Sequence, residues 1–335
     1  MQQLTGILLV NLGTPDSPSV PDVRKYLKEF LLDERVIDIP APQRNLLVRG
    51  IIAPFRAPKS AKLYAQIWKE NGSPLLSFSV LLKNKLQQKL GKNFLVELAM
   101  RYQSPSIKNG LDILKKTNCS KIIVIPLFPQ YSSAANGSVV EKVMNVIKSN
   151  PVFPELRFTG SFHHQPLFIK AFSEIGKKYE PAGYDHIIFS FHGLPERQIS
   201  KSLPDFNCLS EICCNTFTLQ NHLCYRAQCF ETARAIAESL NIPDKKYTVC
   251  FQSRLGKTPW IKPYSDEVIK QLAGKGVKKI LAFSPAFVAD CLETIYEIGV
   301  EYNSLFIEHG GEKIQLVESL NDSDLFIECI EEMIK

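Results

Sequence analysis

No stretch of 18 or more apolar residues occurs in the 335-residue sequence, so no segment is predicted to span a bilayer as a helix. The start of the chain lacks the basic residues, apolar stretch and small-residue cleavage site of a signal peptide. Met1 leads almost directly into Gly6-Ile7-Leu8-Leu9-Val10-Asn11-Leu12-Gly13, which reads as a buried strand, and the expected compartment is the cytoplasm. No dense basic run is present. The 40 Lys and Arg and 34 Asp and Glu are spread along the chain, and a net charge of +6 makes no nucleic-acid footprint. That charge allows attraction to an anionic substrate or membrane surface without demanding it. The first strand is followed by Leu12-Gly13-Thr14-Pro15-Asp16 and not by Gly-x-Gly-x-x-Gly, which removes a dinucleotide-dependent dehydrogenase.

What is present suits a globular protein with a sizeable core: 45% hydrophobic and 22% charged residues. Strand-like apolar runs lie at 6–13, 94–101, 121–126, 155–162, 186–191, 247–252, 279–284 and 313–318. Each is nearly continuous in apolar character, as a strand covered on both faces should be. Helical patterns lie between them, among them 106–116, 137–148, 166–179, 227–240, 265–274 and 322–334. The alternation predicts an α/β fold with parallel sheets. It nearly repeats, so two similar doubly wound domains facing a cleft are expected, 1–165 and 166–335, with either half able to take the last helix. Ligands of such folds sit at the carboxyl ends of the strands. Six polar or aromatic clusters follow strands there: Asn11–Pro15, Arg101-Tyr102, Pro129–Ser132, His192, Gln252-Ser253 and Pro285-Ala286-Phe287.

Two readings stand for His192. It follows a strand and precedes Gly193, which permits close backbone approach, so it suits a base near neutral pH or a metal ligand. It equally suits a histidine that satisfies a strand-end carbonyl. Glu293, Glu297 and Glu301 are four apart and would form one acidic stripe on an α-helix. Such a stripe faces solvent or supplies hard ligands and a proton path. A strand-end histidine opposed to a helical carboxylate suits transient capture of a divalent metal.

Several segments together resemble the ferrochelatases. They are Leu12-Gly13-Thr14-Pro15, Asn71-Gly72-Ser73-Pro74-Leu75, Met100-Arg101-Tyr102 and Pro126-Leu127-Phe128-Pro129-Gln130-Tyr131-Ser132, then Ser190-Phe191-His192-Gly193-Leu194-Pro195-Glu196-Arg197, Phe251-Gln252-Ser253-Arg254, Pro259-Trp260 and 283–294. They run in order from Gly6 to the C-terminus. The resemblance implies two Rossmann-like chelatase domains with four-stranded sheets and a lyase that inserts Fe²⁺ into protoporphyrin IX, the last step of haem synthesis. Coproporphyrin III as the substrate, or a non-catalytic porphyrin or haem carrier, are the alternatives. By position it implies that His192 and Glu293 are the catalytic pair and the ligands of the incoming iron, with His192 the proton acceptor. Asp290, Glu297 and Glu301 would form an acidic route for protons or metal. Leu12, Arg101, Tyr102, Trp260 and Phe287 would line the porphyrin pocket.

One segment, about 200–224, is an insertion of roughly 20 residues relative to that pattern. It holds Cys208, Cys213, Cys214 and Cys224, and with Cys229 just beyond it five of nine cysteines fall within 22 positions. Four thiolates can hold zinc or an iron–sulfur cluster. Some ferrochelatases carry a [2Fe-2S] cluster on such an internal segment, and the resemblance implies Cys208, Cys213, Cys214 and Cys224 as ligands, with Cys229 as substitute. Cys119, Cys250 and Cys329 read as small core hydrophobes, while Cys291, within the 290–293 segment, allows a pocket-lining role. The 46–55 stretch, apolar with Arg49 inside it and Arg56 directly after it, allows either peripheral contact with the inner membrane or a pocket lip or core helix. Oligomeric state is not legible.

Overall fold

The computed structural model describes residues 4–203, 209–210, 212–256 and 258–335. Two compact units result, each with one four-stranded parallel sheet. The first unit runs through Phe128 and takes in Ser132–Gly160 and Ile330–Lys335; the second comprises Pro129–Tyr131 and Ser161–Cys329.

In the first unit the strands are β1 (Thr5–Gly13), β2 (Phe94–Tyr102), β3 (Lys121–Pro126) and β4 (Glu155–Phe158), in the order β2-β1-β3-β4. β1 is central because both of its faces are apolar, and Ile7 to Val10 are completely buried. Helices α1 (Val20–Leu31), α2 (Ala41–Leu46), α3 (Ala53–Ile67), α4 (Pro74–Leu90), α5 (Ile107–Lys116) and α6 (Ser138–Ile147) complete the unit, and a π-helical turn, Leu47–Ile52, joins α2 to α3. Ser106 begins α5 by accepting a hydrogen bond from the Asn109 amide at 3.2 Å. Leu111 and Leu114 of α5 then pack on Leu8, Val10 and Val124. Burial of such a side chain contributes about 1.5–3 kcal/mol.

The second unit repeats this order. β5 (His186–His192), β6 (Tyr247–Gln252), β7 (Lys279–Phe283) and β8 (Lys313–Leu316) are arranged β6-β5-β7-β8. Its helices are α7 (Pro166–Lys177), α8 (Glu196–Ser202), α9 (Tyr225–Ser239), α10 (Ser265–Gly274), α11 (Asn303–Glu308) and α12 (Asp324–Ile334), whose last turn groups with the first unit. Ile188, Cys250, Ile269, Ile280, Ile298 and Phe306 form one buried cluster here. Cys119, Cys250 and Cys329 are all buried.

The edge strands β4 and β8 are shorter than the apolar runs 155–162 and 313–318. Each has a single neighbour, and its ladder ends at the Val124–Phe158 and Ala282–Leu316 pairs, just beyond which Thr159 donates to the Val124 carbonyl and Val317 to that of Ala282. A larger departure concerns the acidic tract. Leu292–Tyr302 is a π-helix and not the expected α-helix, and its i→i+5 winding brings residues five apart together. Among the described residues no helix is long and apolar enough to cross a membrane.

Candidate active site

The site of the second unit is built on the carboxyl ends of β5 and β6. Register sets His192 opposite Gln252. The chain turns immediately afterwards, and the Gly193 amide donates to the Gln252 carbonyl at 2.9 Å. A Cβ on Gly193 would lie 2.9 Å from that oxygen and 3.2 Å from the Trp260 ring, which is the physical demand for glycine here. The Tyr225 hydroxyl donates to the His192 carbonyl at 2.7 Å. The imidazole closes the turn: Nδ1 lies 2.7 Å from the Gly193 carbonyl. A carbonyl only accepts, so Nδ1 carries the proton, and the lone pair of Nε2 is left for an incoming proton or metal. Half-buried Trp260 and Phe287 flank the ring, with centroids 6.5 and 6.3 Å away. His192 thus satisfies a local carbonyl and still presents a basic nitrogen beside two aromatic faces.

The acids of the tract separate into distinct roles. Asp290 is buried; its carboxylate accepts from Thr294 Oγ1 at 3.1 Å, the Ser319 amide at 3.1 Å and Asn321 Nδ2 at 2.9 Å. Glu297 accepts from the Ser253 amide at 2.9 Å, Ser253 Oγ at 2.5 Å, Gln252 Nε2 at 3.1 Å and the Tyr302 hydroxyl at 2.9 Å. The Tyr302 partner is five residues on, the spacing that a π-turn brings together. Burial and the Glu297 charge push the Tyr302 phenol well up. Glu301 is exposed as a residue, yet partial burial of its carboxyl and then the Glu297 charge raise its pKa. Glu293 takes none of the bonds that saturate Asp290 and Glu297. It lies against the Cys291 thiol, whose pKa rises through burial first and this carboxylate second. Gln252 Nε2 also donates to the Glu293 carbonyl at 2.9 Å, so one amide ties the end of β6 to the helix that carries the acids.

The first unit places Arg101 and Tyr102 in a polar node. Arg101 Nε donates to Ser138 Oγ at 2.6 Å, and its guanidinium pairs with Asp33. The Tyr102 hydroxyl and Ser138 Oγ donate to the same Asp33 carboxylate, at 2.9 and 2.6 Å. Tyr102 is fully buried under the guanidinium, 4.5 Å from its ring centre, while Arg101 and Leu12 are half-buried. Sequence reasoning missed Asp33, because a single acid after a helix carries no pattern. It also passed over Tyr225, Gln252 and Ser253 as site residues, although the last two lie in a flagged strand-end cluster. Nearby, Asn11 Nδ2 donates to Ser79 Oγ at 3.1 Å and Thr14 Oγ1 to Ser73 Oγ at 2.9 Å, which joins two of the motifs by polar packing.

The ferrochelatase family model matches residues 4–335. The chain belongs to the ferrochelatase family. It is 45% identical to a ferrochelatase of Legionella pneumophila (strain Lens) over 98% of both chains. A ferrochelatase of Coxiella burnetii (strain Dugway 5J108-111) is 43% identical, with 98% of this chain and 93% of that one covered. Among solved structures, SirB from Bacillus subtilis with Fe³⁺ matches with a TM-score of 0.51 at 14% identity, covering 99% of this chain and 96% of that one. The sirohydrochlorin chelatase SirB in complex with cobalt matches at 12% identity with the same score, covering 99% and 94%. These two likenesses concern the fold.

Within this ferrochelatase-family chain, the Pro129–Tyr131 motif serves as an anchor for α9. Gln130 Nε2 donates to Thr232 Oγ1 at 3.0 Å and the Tyr131 amide to Gln228 Oε1 at 2.7 Å. The cysteine segment gathers at the start of the same helix. Cys213 and Cys214 sulfurs are 3.4 Å apart, and the Arg226 guanidinium donates to Cys214 Sγ at 3.0 Å. Burial pushes the Cys214 thiol up to about 12, with Arg226 opposing and Cys213 and Cys224 adding to it. Cys229 is buried and raised for the same leading reason. These donors are soft, close together and beside a cation, the chemistry that thiolate-bound metals need. Among the described residues no three metal-binding side chains converge, and Cys208 lies outside the described residues.

Proposed function

We propose that the chain inserts Fe²⁺ into protoporphyrin IX, with His192 and Glu293 as the reacting pair. Iron insertion into a porphyrin follows from family membership; the choice of porphyrin and the residue roles are our reading. The observation that carries the roles is the 2.7 Å contact of His192 Nδ1 with the Gly193 carbonyl. The ring's Nδ1–H is committed to the Gly193 carbonyl, so neutral Nε2 is a lone pair held in a fixed direction. Two pyrrole protons must leave the macrocycle as the metal enters, and Nε2 accepts a proton from a pyrrole nitrogen. The Glu293 carboxylate, not committed to the bonds that hold Asp290 and Glu297, receives the ferrous ion as a hard ligand. Trp260 and Phe287 supply apolar wall beside His192, and Leu12, Arg101 and Tyr102 are porphyrin-binding residues by family resemblance, with Tyr102 packed under the Arg101 guanidinium. Binding energy on such walls can support ring distortion of about 1–5 kcal/mol, which exposes the nitrogen lone pairs. Glu301, raised in pKa and exposed, is placed to pass protons to solvent.

The test is an anaerobic insertion assay with protoporphyrin IX and coproporphyrin III in parallel. Turnover of protoporphyrin is expected. Turnover of coproporphyrin alone would overturn the substrate choice, and a His192→Ala protein that keeps its rate would overturn the catalytic role in favour of a carrier.

Two finer readings accompany this one. A [2Fe-2S] cluster held by Cys208, Cys213, Cys214 and Cys224, with Cys229 in reserve, is supported by the thiols gathered at the start of α9 and the Arg226 charge beside them. Visible absorption with iron and sulfide analysis of anaerobically purified protein tests it; a colourless protein with one zinc per chain would refute it. Peripheral contact of the enzyme with an anionic membrane is supported by exposed Leu46, Ile51 and Phe55 beside Arg49 and Arg56. Sedimentation with anionic vesicles is expected, and Phe55→Ser should weaken it.

A further inference from the structure

The turn that holds His192 is fixed at three points, and two of them belong to its own sheet. They are the Gly193 amide on the Gln252 carbonyl and the imidazole on the Gly193 carbonyl. The third is the Tyr225 hydroxyl on the His192 carbonyl, and it comes from the first residue of α9. We propose that Tyr225 is a positioning residue for His192: by holding the His192 peptide it keeps the Gly193 carbonyl under Nδ1 and so fixes which imidazole nitrogen is basic.

The geometry gives this hydroxyl a directed role. Tyr225 is buried and has one hydroxyl proton, which at 2.7 Å goes to the His192 carbonyl. The Cys229 thiol, one helical turn on, lies against the same phenol. The helix that presents Tyr225 is itself immobilised. Gln228 accepts from the Tyr131 amide, and Thr232 Oγ1 donates to the His163 carbonyl at 2.9 Å. Cys224, the residue before Tyr225, is the buried N-cap of this helix. A displacement of the cysteine-bearing end of α9 therefore moves the hydroxyl that holds His192. Without that hydroxyl the His192–Gly193 peptide is held only through the Gly193 amide on the Gln252 carbonyl, so it can tilt, the Gly193 carbonyl shifts from Nδ1, and the imidazole samples both tautomers.

The inference rests on the proposed role of His192, and Tyr225→Phe in the full-length protein tests it with two separable readouts. ¹⁵N-histidine spectra, with His192 assigned by its loss in His192→Ala, should show a single Nδ1–H tautomer in the parent and a tautomer mixture in Y225F. The kcat for Fe²⁺ insertion should fall about tenfold, roughly the 1.4 kcal/mol of one misplaced hydrogen bond, with KM for porphyrin within twofold. An unchanged His192 spectrum would overturn the proposal even if activity or stability fell, because a merely structural hydroxyl would not touch the tautomer. An altered spectrum with parental kcat would overturn it as well. Should Y225F not fold, 3-fluorotyrosine at position 225 keeps the phenol but strengthens its donation. The His192 carbonyl and ring signals should then shift, and their failure to do so would overturn the proposal. The spectra need no turnover, so a failure of the assigned reaction is distinguishable from a failure of Tyr225 to position the ring.

Discussion

His163 should make the protein acid-labile in a window set by one side chain. It is 2% exposed, and neither ring nitrogen has a hydrogen-bond partner. Its neighbours are the His164 ring, with centroids 4.5 Å apart, and Phe217 at 5.3 Å. Burial, and then the like charge of His164, lower its pKa from 6.5 to about 3. Below pH 6.5 the unfolded chain therefore binds a proton that the folded chain refuses until about pH 3, so stability is lost as pH falls through that interval. Between pH 7 and pH 5 the linkage relation gives a loss of about 2 kcal/mol from this residue alone. Urea unfolding at both pH values, for the parent and for His163→Leu, measures it. Taking the difference between pH values within each protein cancels the packing change that leucine brings and the titration of every other group. The parent should lose about 2 kcal/mol more than the variant over this range. Equal losses would refute the reasoning: His163 would then be reaching solvent or a partner in its protonated form.

Glu297→Gln replaces an acceptor of four hydrogen bonds by a group that can accept at one oxygen only. We expect a loss of about 3 kcal/mol in chemical denaturation, and a near-neutral result would refute the view that this acid is structural. Gly193→Ala would set a methyl group 2.9 Å from the Gln252 carbonyl, so insertion activity should fall at least tenfold while far-UV circular dichroism is unchanged. His192→Ala should abolish insertion yet leave the Kd for Fe²⁺, measured anaerobically without porphyrin, within about threefold of the parent, whereas Glu293→Gln should raise it at least tenfold, about 1.4 kcal/mol. The reverse order would make the histidine the principal ligand.

The parallel sheets were legible because β1, β3, β5 and β7 carry apolar residues on both faces, and only strands roofed on both sides do so. Their carboxyl ends then located His192 and Gln252-Ser253 before any coordinates. What escaped was long-range satisfaction. Asp33 is recognisable only once Arg101, Tyr102 and Ser138, separated by up to 105 residues, converge on its carboxylate. Likewise nothing in the run Cys224-Tyr225-Arg226 announces that a hydroxyl will reach the carbonyl of His192, 33 residues earlier. The acidic tract differs in its winding. Its spacing suggested an α-helix, whereas Leu292–Tyr302 winds as a π-helix in which Glu297 turns to Tyr302, five residues on, and to the end of β6.

The geometry of His192 also constrains how labour is divided in the proposed reaction. With Nδ1–H bound to the Gly193 carbonyl, one lone pair remains on the ring, at Nε2. A nitrogen with one lone pair cannot hold a proton and a ferrous ion at the same moment. If Nε2 took the iron first, the pyrrole protons would need another base, and the carboxylates of Asp290 and Glu297 are already occupied by three and four hydrogen bonds. If Nε2 takes the proton, iron needs an oxygen ligand other than those two saturated carboxylates, and Glu293, which meets only the weakly donating Cys291 thiol and is tied through its carbonyl to Gln252, is the acid nearest the end of β6 outside that network. The second sequence uses every group in the state in which the fold holds it. It also explains why the ring is fixed as one tautomer: a metal ligand could come from either nitrogen after a ring flip, whereas a proton acceptor must have its lone pair aimed before the proton leaves.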